Sequence, residues 1–214
     1  MLKKYTSKSD EAYEIIKNKI LSNELKDGEV ISENLFAEEL GISRTPVRTA
    51  FQKLEMEGFI KIYPSRGAIV QEMSLEESRE IYDLRLAIET FIVKKVFDNI
   101  TKKDIENLRQ IVKKQKEAFN EGDTKSYIES MKYDMEFHSY FLSIYKNEKI
   151  NQIFKSYMEK MTSFGYIALI KPGRLSATLK EHKKIIDCIE KKDLNSAVES
   201  LEFHLENGKS NAFH

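Results

Sequence analysis

The apolar positions in the first quarter of the chain recur every three or four residues, which is the spacing of amphipathic helices. Tyr13, Ile16 and Ile20 form the first such stripe, and Asp10 can cap its start. A second stripe places Leu35 inward, together with Phe36 and Leu40. The pattern predicts three short helices, over residues 11–25, 32–40 and 43–57.

Glycine and proline mark the ends of these predicted helices. Gly41 ends the second, Pro46 falls in the first turn of the third, where its missing N–H is harmless, and Gly58 ends the third. Two β-like runs follow, over residues 59–63 and 68–71, and a Pro-Ser-Arg-Gly turn joins them into a hairpin. Three helices followed by a hairpin predict a winged helix-turn-helix.

From residue 74 onward the pattern is helical. Ser74 with Glu77, and Thr101 with Asp104, have the spacing of capping boxes and predict two helix starts. A loop is predicted at residues 121–123, and the run KPGRLS is the longest later interruption. The predicted helices cover residues 74–97, 101–120, 124–146, 149–169, 176–191 and 194–207.

The composition supports a mainly α fold class, because only three prolines and eight glycines are available for turns. We expect an N-terminal winged helix-turn-helix domain over residues 1–72 and an all-α antiparallel helical bundle over residues 73–214. Cys188 is the single cysteine, so a reducing compartment fits best. No apolar run approaches a membrane span or a signal peptide. The sequence therefore predicts a cytoplasmic protein without a membrane partner.

Hydrogen-bond donors gather at the start of the third predicted helix, where a recognition helix would enter the major groove of DNA. Arg44 or Arg48 can make paired hydrogen bonds to a guanine edge, and nearby hydroxyls can bind phosphates. The predicted wing can approach the DNA backbone or the minor groove. The candidate DNA-binding residues are Ser43, Arg44, Thr45, Arg48, Arg66 and Gly67.

The charges of the chain are segregated, although its 35 basic and 35 acidic residues cancel. Residues 43–71 hold five basic and two acidic side chains, whereas residues 10–42 hold three basic and nine acidic ones. The positive charge therefore lies on the segment predicted to face DNA. Two winged helices reading the half-sites of a palindromic double-stranded operator would require a homodimer.

A candidate metal site lies in the second half of the chain. Asp134 and His138 are four residues apart on one face of a predicted helix, so both can reach a single ion. His182 and His204 are equidistant from a predicted turn near residue 193, so they should meet in an antiparallel hairpin. The alternative is that each histidine is an isolated core or surface residue. Together they predict a divalent metal ion in the bundle core, and Zn, Ni, Mn and Fe all suit these ligands.

Arg85 falls on the inward face of its predicted helix, with Ile81 and Ile88. A buried guanidinium is costly without an anion. The anion can be Glu89, another side chain or the carboxylate of a bound effector. Arg85 is therefore the candidate effector-binding residue, and Glu89 itself is interpreted as structural.

The segment LFAEELGISRTPVRTAFQKLEMEGFIKIYPSRGAIV resembles the winged helix of the GntR family of bacterial transcription regulators. Asn34 stands where members of that family often carry an arginine that contacts phosphate. The family pattern Gly-(Val/Ile)-Ser-Arg-x-Pro-Val-Arg, a Leu-x-x-x-Gly step and a Gly-x-x-Val wing are matched by residues 41–48, by Leu54 with Gly58, and by Gly67 with Val70.

The helical part is similar to the FCD effector-binding domain of the FadR subfamily, so that the resemblance covers about residues 9–207. Metal-binding members of that subfamily use an Asp-x-x-x-His pair and two later histidines, which Asp134, His138, His182 and His204 match. The resemblance implies a small carboxylate effector at the metal, such as an organic acid, a sugar acid or an amino acid.

The sequence is therefore interpreted as a metabolite-responsive transcriptional repressor and not as an enzyme. Two alternatives remain open at this point. One is a metal-dependent enzyme in which the ion activates water. The other is a metal-free regulator that binds a long acyl-CoA, in which the three histidines would be expendable.

Overall fold

The computed structural model describes residues 7–64, 66–72, 74–119, 124–169 and 173–213. The chain divides after Met73 into two compact units. We call them the winged-helix unit, which ends at Met73, and the helical unit, which begins at Ser74. The mainly α fold class is confirmed. None of the described helices is long and apolar enough to cross a membrane.

The winged-helix unit combines short helices with a small sheet. Its central strand pairs antiparallel with the other two, so that the sheet order is first, third, second. The predicted hairpin is confirmed, but the sequence pattern missed the two-residue first strand, which is too short to show an alternation. The elements are α1 (Lys8–Leu21), β1 (Val30–Ile31), α2 (Glu33–Leu40), α3 (Arg44–Met56), β2 (Ile60–Tyr63) and β3 (Gly67–Val70).

The core of the winged-helix unit lies between α1, α3 and the sheet. Ile16, Val47 and Leu54 are completely buried there. Two details of the sequence interpretation are wrong. Leu35 is 64% exposed, and Ala37 is buried in α2 instead. Asp10 is not the cap of α1, because the hydroxyl of Ser7 accepts a hydrogen bond from the backbone N–H of Asp10.

The helical unit consists of long helices. The capping box of Thr101 and Asp104 is present in full. Gly173, at φ 77°, precedes α8, which begins two residues earlier than the sequence pattern suggested. The predicted loop at 121–123 lies outside the described residues. The helices are α4 (Leu75–Val96), α5 (Lys102–Glu117), α6 (Thr124–Tyr145), α7 (Glu148–Leu169), α8 (Arg174–Glu190) and α9 (Leu194–Phe213).

The core of the helical unit is apolar along most of its length, with Ile92, Phe137, Ile185 and Leu201 fully buried. Helices α8 and α9 pack against each other as a hairpin, α4 runs along α9, and α6 packs on α4 and α5. Four of these helices, α4, α6, α8 and α9, also turn ionisable side chains toward the core. Those buried polar residues form the candidate site.

Candidate functional site

The start of α3 is an exposed edge of the winged-helix unit. Ser43, Arg44, Thr45 and Arg48 are all exposed on the cap and the first turns of the helix. Ser43 is the N-cap residue, but its side chain makes no capping hydrogen bond. The first backbone N–H groups of α3 and these side chains therefore present donors on one surface, as contact with DNA phosphates and base edges requires.

A cleft of about 480 Å³ lies between α2, α3 and the wing. Arg44 and Arg48 of α3 line it together with Arg66 and Gly67 of the wing. The structure thus brings four of the six candidate DNA-binding residues to one concave face. Ser43 and Thr45 are exposed but do not line this cleft.

Gly67 is required by the fold of the wing itself. Its φ is 92°, and a Cβ at this position would lie 2.5 Å from the backbone oxygen of Ile31. A larger residue would therefore separate β3 from β1 at the base of the wing.

One acidic neighbour of the recognition helix was not identified from the sequence. Arg44 Nη2 donates to Glu33 Oε2 over 3.4 Å, and 66% of the arginine side chain remains exposed. Glu33 also lines the cleft. Glu33 begins α2, at the end of the helix remote from the turn at Gly41, so no sequence signal indicated this contact.

The four predicted metal ligands meet inside the helical unit. Asp134 and His138 come from α6, His182 from α8 and His204 from α9. All four are buried, and one ligand atom from each lies within 4.8 Å of the others. The described structure therefore assembles the whole set that the helix spacing and the hairpin symmetry indicated.

The distances between these ligand atoms suit a shared ion. His138 Nε2 lies 3.1 Å from His204 Nε2, and His182 Nε2 lies 3.5 Å from Asp134 Oδ1. His138 Nε2 is 3.8 Å from Asp134 Oδ2. Two nitrogens that each bind zinc at its usual distance lie about 2.9–3.4 Å apart at coordination angles between octahedral and tetrahedral values.

Each imidazole is oriented by a hydrogen bond at its other nitrogen. His138 Nδ1 lies 2.5 Å from Glu89 Oε2, and His204 Nδ1 lies 2.7 Å from Glu181 Oε2. His182 Nδ1 lies 3.1 Å from Gln115 Oε1. Because these oxygens accept hydrogen bonds, each neutral imidazole carries its proton on Nδ1, and all three Nε2 lone pairs face the cluster.

The electrostatics disfavour protonation of His182 and His204 and keep the carboxylates ionised. Burial lowers the pKa of His182 well below its usual value of 6.5, and burial also lowers the pKa of His204. Burial alone would raise the pKa of Asp134, but positive charge around it, from the histidines when they are protonated and from Arg85, lowers it overall. For Glu89, burial is likewise outweighed, and Arg85 and His138 lower its pKa to about 2. Neutral imidazole and ionised carboxylate are the forms that bind metal.

The residues present fit a divalent cation. His182 Nε2 is buried and has no hydrogen-bond partner, and its lone pair faces the carboxylate of Asp134. A lone pair next to a carboxylate is repulsive unless a cation lies between them. The same holds for the two Nε2 atoms of His138 and His204. Nitrogen and carboxylate donors of this kind suit first-row transition metals, without selecting one.

Arg85 is buried beside this cluster, with 4% of its surface exposed. Its Nε donates to Glu89 Oε1 over 2.7 Å, while its Nη2 has no hydrogen-bond partner. Glu89 therefore binds Arg85 on one oxygen and His138 on the other. One of the alternatives considered for Arg85, pairing with Glu89, is present, and one donor of the guanidinium is still available for a second anion.

Sequence reasoning missed the residues that surround the ligands. Glu181 accepts from Arg174 and Asn207 with one oxygen and contacts His204 with the other. Gln115 is completely buried on α5. It continues the apolar stripe of Ile105, Leu108 and Ile111, and this periodicity could have marked it as an inward residue.

Comparisons with known proteins agree with both units. Residues 8–70 match the model of the bacterial regulatory proteins of the gntR family, and residues 80–207 match the FCD domain. The gluconate operon transcriptional repressor of Bacillus subtilis is 30% identical over 199 residues, which cover 89% of this chain and 78% of that repressor. An uncharacterized HTH-type transcriptional regulator of the same organism, YdhC, is 24% identical over 93% of both chains.

Solved structures show the same fold. The crystal structure of a GntR transcriptional regulator from Rhodococcus sp. RHA1 aligns with a TM-score of 0.81, at 20% identity and over 97% of this chain and 98% of that one. The two family models account for nearly the whole described chain, and they indicate transcriptional regulation rather than catalysis. The chain therefore belongs to the gntR family of bacterial regulatory proteins, as a DNA-binding transcriptional regulator with a C-terminal FCD domain, and it is not an enzyme.

Proposed function

We propose that this regulator is a metabolite-responsive repressor that binds a palindromic operator as a homodimer. Arg44 and Arg48 read base edges in the major groove, and Ser43 and Thr45 bind phosphates. Arg66 at the tip of the wing contacts the DNA backbone or the minor groove, and Gly67 lets the wing keep its shape. The cleft that Arg44, Arg48 and the wing line supports this assignment.

We further propose that the helical unit binds a divalent metal ion through Asp134, His138, His182 and His204. The unpartnered Nε2 of His182, whose lone pair faces Asp134, is the observation that carries this proposal. When bound, the ion supplies positive charge and coordination positions for a carboxylate oxygen. Glu89, Gln115 and Glu181 hold the imidazoles in the tautomer and orientation that binding needs.

The proposed effector is a small carboxylate that binds beside Arg85. The unpaired Nη2 of this arginine is a buried donor, and a carboxylate is the anion that a guanidinium pairs with best. The name of the Bacillus subtilis relative links that repressor to a gluconate operon, and gluconate is a small carboxylate. Binding of effector and binding of operator would be reciprocally coupled, because the binding of each ligand changes the binding free energy of the other.

Metal content tests the first part of this proposal. We expect elemental analysis of the full chain, purified without chelator, to find about one divalent ion per chain. His182→Ala should lose the ion because it removes one of four ligands. His214→Ala, which changes the one histidine outside the proposed site, is the matched control and should keep it. A metal-free wild-type protein would overturn the metal site.

The proposed effector site is tested by thermal unfolding of the metal-loaded protein in the presence of small carboxylates. A ligand that binds the folded state raises the midpoint temperature by mass action. Arg85→Met should abolish this increase and leave operator affinity and metal content close to those of the wild type. The assignment fails if Arg85→Met responds to the acids as the wild type does.

A further inference from the structure

The helical unit contains buried polar atoms that the proposed metal site does not use. Among the described residues, the buried side-chain atoms without a hydrogen-bond partner are Ser78 Oγ, Arg85 Nη2, Thr178 Oγ1 and His182 Nε2. All four belong to the helical unit, two on α4 and two on α8. A buried polar atom without a partner is unfavourable, so its retention indicates a second role.

The two helices that carry these atoms face the same stretch of α9. On one side, a Cβ at Gly208 would lie 3.0 Å from the ring of Tyr82 on α4. On the other side, Asn207 and His204 bind Glu181 on α8. On α4, Ser78 lies one helical turn before Tyr82 and Arg85 lies one turn after it, and on α8 Thr178 lies one turn before His182.

Ser78 and Thr178 therefore lie on the faces of α4 and α8 that carry Arg85 and His182 into the buried region around the cluster. Ser78 and Thr178 are 0% and 1% exposed, so their hydroxyls belong to this buried region and not to the surface.

The buried charges of the region specify the charge of its ligand. The described helical unit buries two guanidinium groups, those of Arg85 and Arg174, and three carboxylates, those of Glu89, Asp134 and Glu181. With neutral imidazoles, as metal coordination requires, the protein contributes one net negative charge. A divalent ion changes this to one net positive charge. A single carboxylate then neutralises the site, whereas a dicarboxylate leaves a buried negative charge uncompensated.

The unpartnered hydroxyls specify the rest of the ligand. Serine and threonine hydroxyls each donate one hydrogen bond and accept others. An alkyl chain would leave Ser78 Oγ and Thr178 Oγ1 without partners, whereas hydroxyl groups on the ligand would pair with both. The buried region thus combines one site for a carboxylate with two sites for hydroxyl groups.

We propose that the effector is a hydroxylated monocarboxylate, which binds the metal-loaded site as a monoanion through Arg85 and pairs its hydroxyl groups with Thr178 and Ser78. This inference rests on the proposed function, because it presupposes the bound ion. It narrows the ligand class from small carboxylates in general to hydroxy acids with one negative charge.

Acids of equal chain length test the effect of the ligand's charge separately from the effect of its hydroxyl groups. Gluconate, glucarate and hexanoate all have six carbons, and they are respectively a hydroxylated monoanion, a hydroxylated dianion and a monoanion without hydroxyl groups. Glycerate, tartronate and propionate form the same series with three carbons. We expect calorimetric titration of the manganese-loaded full chain to show this order in at least one series. Its hydroxylated monoanion should bind about tenfold more tightly than the dianion and the unhydroxylated acid of the same length.

Substitutions test the assigned hydroxyl contacts and the assigned ligand charge separately. Thr178→Val and Ser78→Ala should each reduce the preference for the hydroxylated monoanion over the unhydroxylated one, with metal content unchanged. Glu181→Gln removes one buried negative charge and should shift the preference toward the dianion of the same series. Glu89→Gln removes a charge at a different position and serves as the second variant if Glu181→Gln does not fold.

Each part of the inference can fail independently. Equal or tighter binding of glucarate or tartronate would overturn the charge assignment. Equal binding of hexanoate or propionate, or an unchanged preference in both Thr178→Val and Ser78→Ala, would overturn the hydroxyl assignment. In either case, if the remaining binding still required the metal ion and Arg85, the proposed function would remain supported. A manganese-loaded protein that binds none of the six acids would overturn the inference together with the carboxylate effector.

Discussion

The two units place their candidate functional side chains in opposite surroundings. In the winged-helix unit, Arg44 and Arg48 are exposed, and 66% of the Arg44 side chain remains accessible although it contacts Glu33. In the helical unit, none of the four candidate ligands is more than 5% exposed, and each has a buried polar neighbour. The exposed arginines are oriented to contact a molecule outside the chain, whereas the buried ligands are held in place by contacts within the chain.

This difference separates function from stability in one unit and couples them in the other. An exposed arginine is solvated in the free protein, so its removal leaves few groups unpaired. A buried carboxylate such as Glu181 holds several partners at once, so its removal leaves donors and charges without compensation. Substitutions at the exposed set should change DNA affinity alone, and substitutions at the buried set should change folding as well as binding.

Removal of Glu181 should give the largest effect. The Glu181→Ala change leaves the buried guanidinium of Arg174, the amide of Asn207 and His204 Nδ1 without their common acceptor. We expect the free energy of unfolding of metal-free protein to fall by about 3–5 kcal/mol, the usual cost of breaking a buried ion pair. Urea unfolding followed by circular dichroism measures this change.

Glu206→Ala is the matched control for that measurement, because it removes an exposed carboxylate from the same hairpin. It should change the free energy of unfolding by no more than about 0.5 kcal/mol. Equal effects of the two substitutions would show that the buried network of Glu181 does not stabilise the fold, and the contrast between the units would disappear.

Acid should destabilise the helical unit gradually. His182 and His204 have lowered pKa values in the folded state, so the unfolded state binds more protons below pH 6.5 and stability decreases as the pH falls through that value. Glu89 and Glu181, whose pKa values are lowered from 4.5 to about 2, add a second loss between those two values.

The urea concentration at the midpoint of unfolding, determined for chelator-treated protein between pH 8 and pH 3, measures both losses of stability. The Glu181→Gln variant is the internal comparison, because it cannot contribute to the lower range and should show a shallower decrease there. A midpoint that stays constant or rises as the pH falls from 7 to 5 would contradict the lowered pKa values of His182 and His204.

The same contrast explains which features the sequence could predict. The helix-turn-helix is a local pattern, in which Gly41, Pro46 and the donors of α3 lie within a few residues of each other. The four candidate ligands are distant in sequence, but a four-residue spacing in α6 and the symmetry of one hairpin were enough to bring them together. Both are consequences of helix geometry and need no knowledge of side-chain packing.

The contacts of the residues that surround the ligands could not be predicted in this way. The helical period of α5 could mark Gln115 as inward, although it stands in the polar run KKQKE, but it could not show that this buried amide binds both His182 and Asp134. Its orientation depends on how α5 packs against α6 and α8. Leu35 shows the opposite error, because its apolar side chain fits the stripe of α2 but lies outside the core.

In the exposed set, loss of Arg48 should change DNA recognition and leave stability unchanged. We expect Arg48→Ala to weaken binding to the operator by about 1–3 kcal/mol relative to unrelated DNA, because a paired contact to a guanine edge is lost. Fluorescence anisotropy at fixed salt measures this difference, with an operator that the wild-type protein selects from random duplexes. The free energy of unfolding should remain within about 0.5 kcal/mol of the wild type.

Arg48→Lys separates base recognition from charge in this experiment. Lysine keeps the positive charge but cannot reproduce the planar fork of the guanidinium. It should therefore retain the affinity for unrelated DNA and lose most of the preference for the operator. If Arg48→Ala binds the operator as tightly as the wild type does, Arg48 does not lie in the groove.

The smallest effect is expected where the exposed set does have an internal partner. Glu33 Oε2 contacts Arg44 Nη2 at 3.4 Å, and an exposed pair of this kind contributes less than about 1 kcal/mol to stability. Glu33→Gln should nevertheless change DNA binding in two ways. Affinity for all sequences should rise slightly, because a negative charge leaves the DNA-facing cleft. Preference for the operator should fall, because Arg44 loses the contact that orients it. Glu38→Gln, an exposed change on the same helix, should do neither, and an increased preference in Glu33→Gln would exclude an orienting role for Glu33.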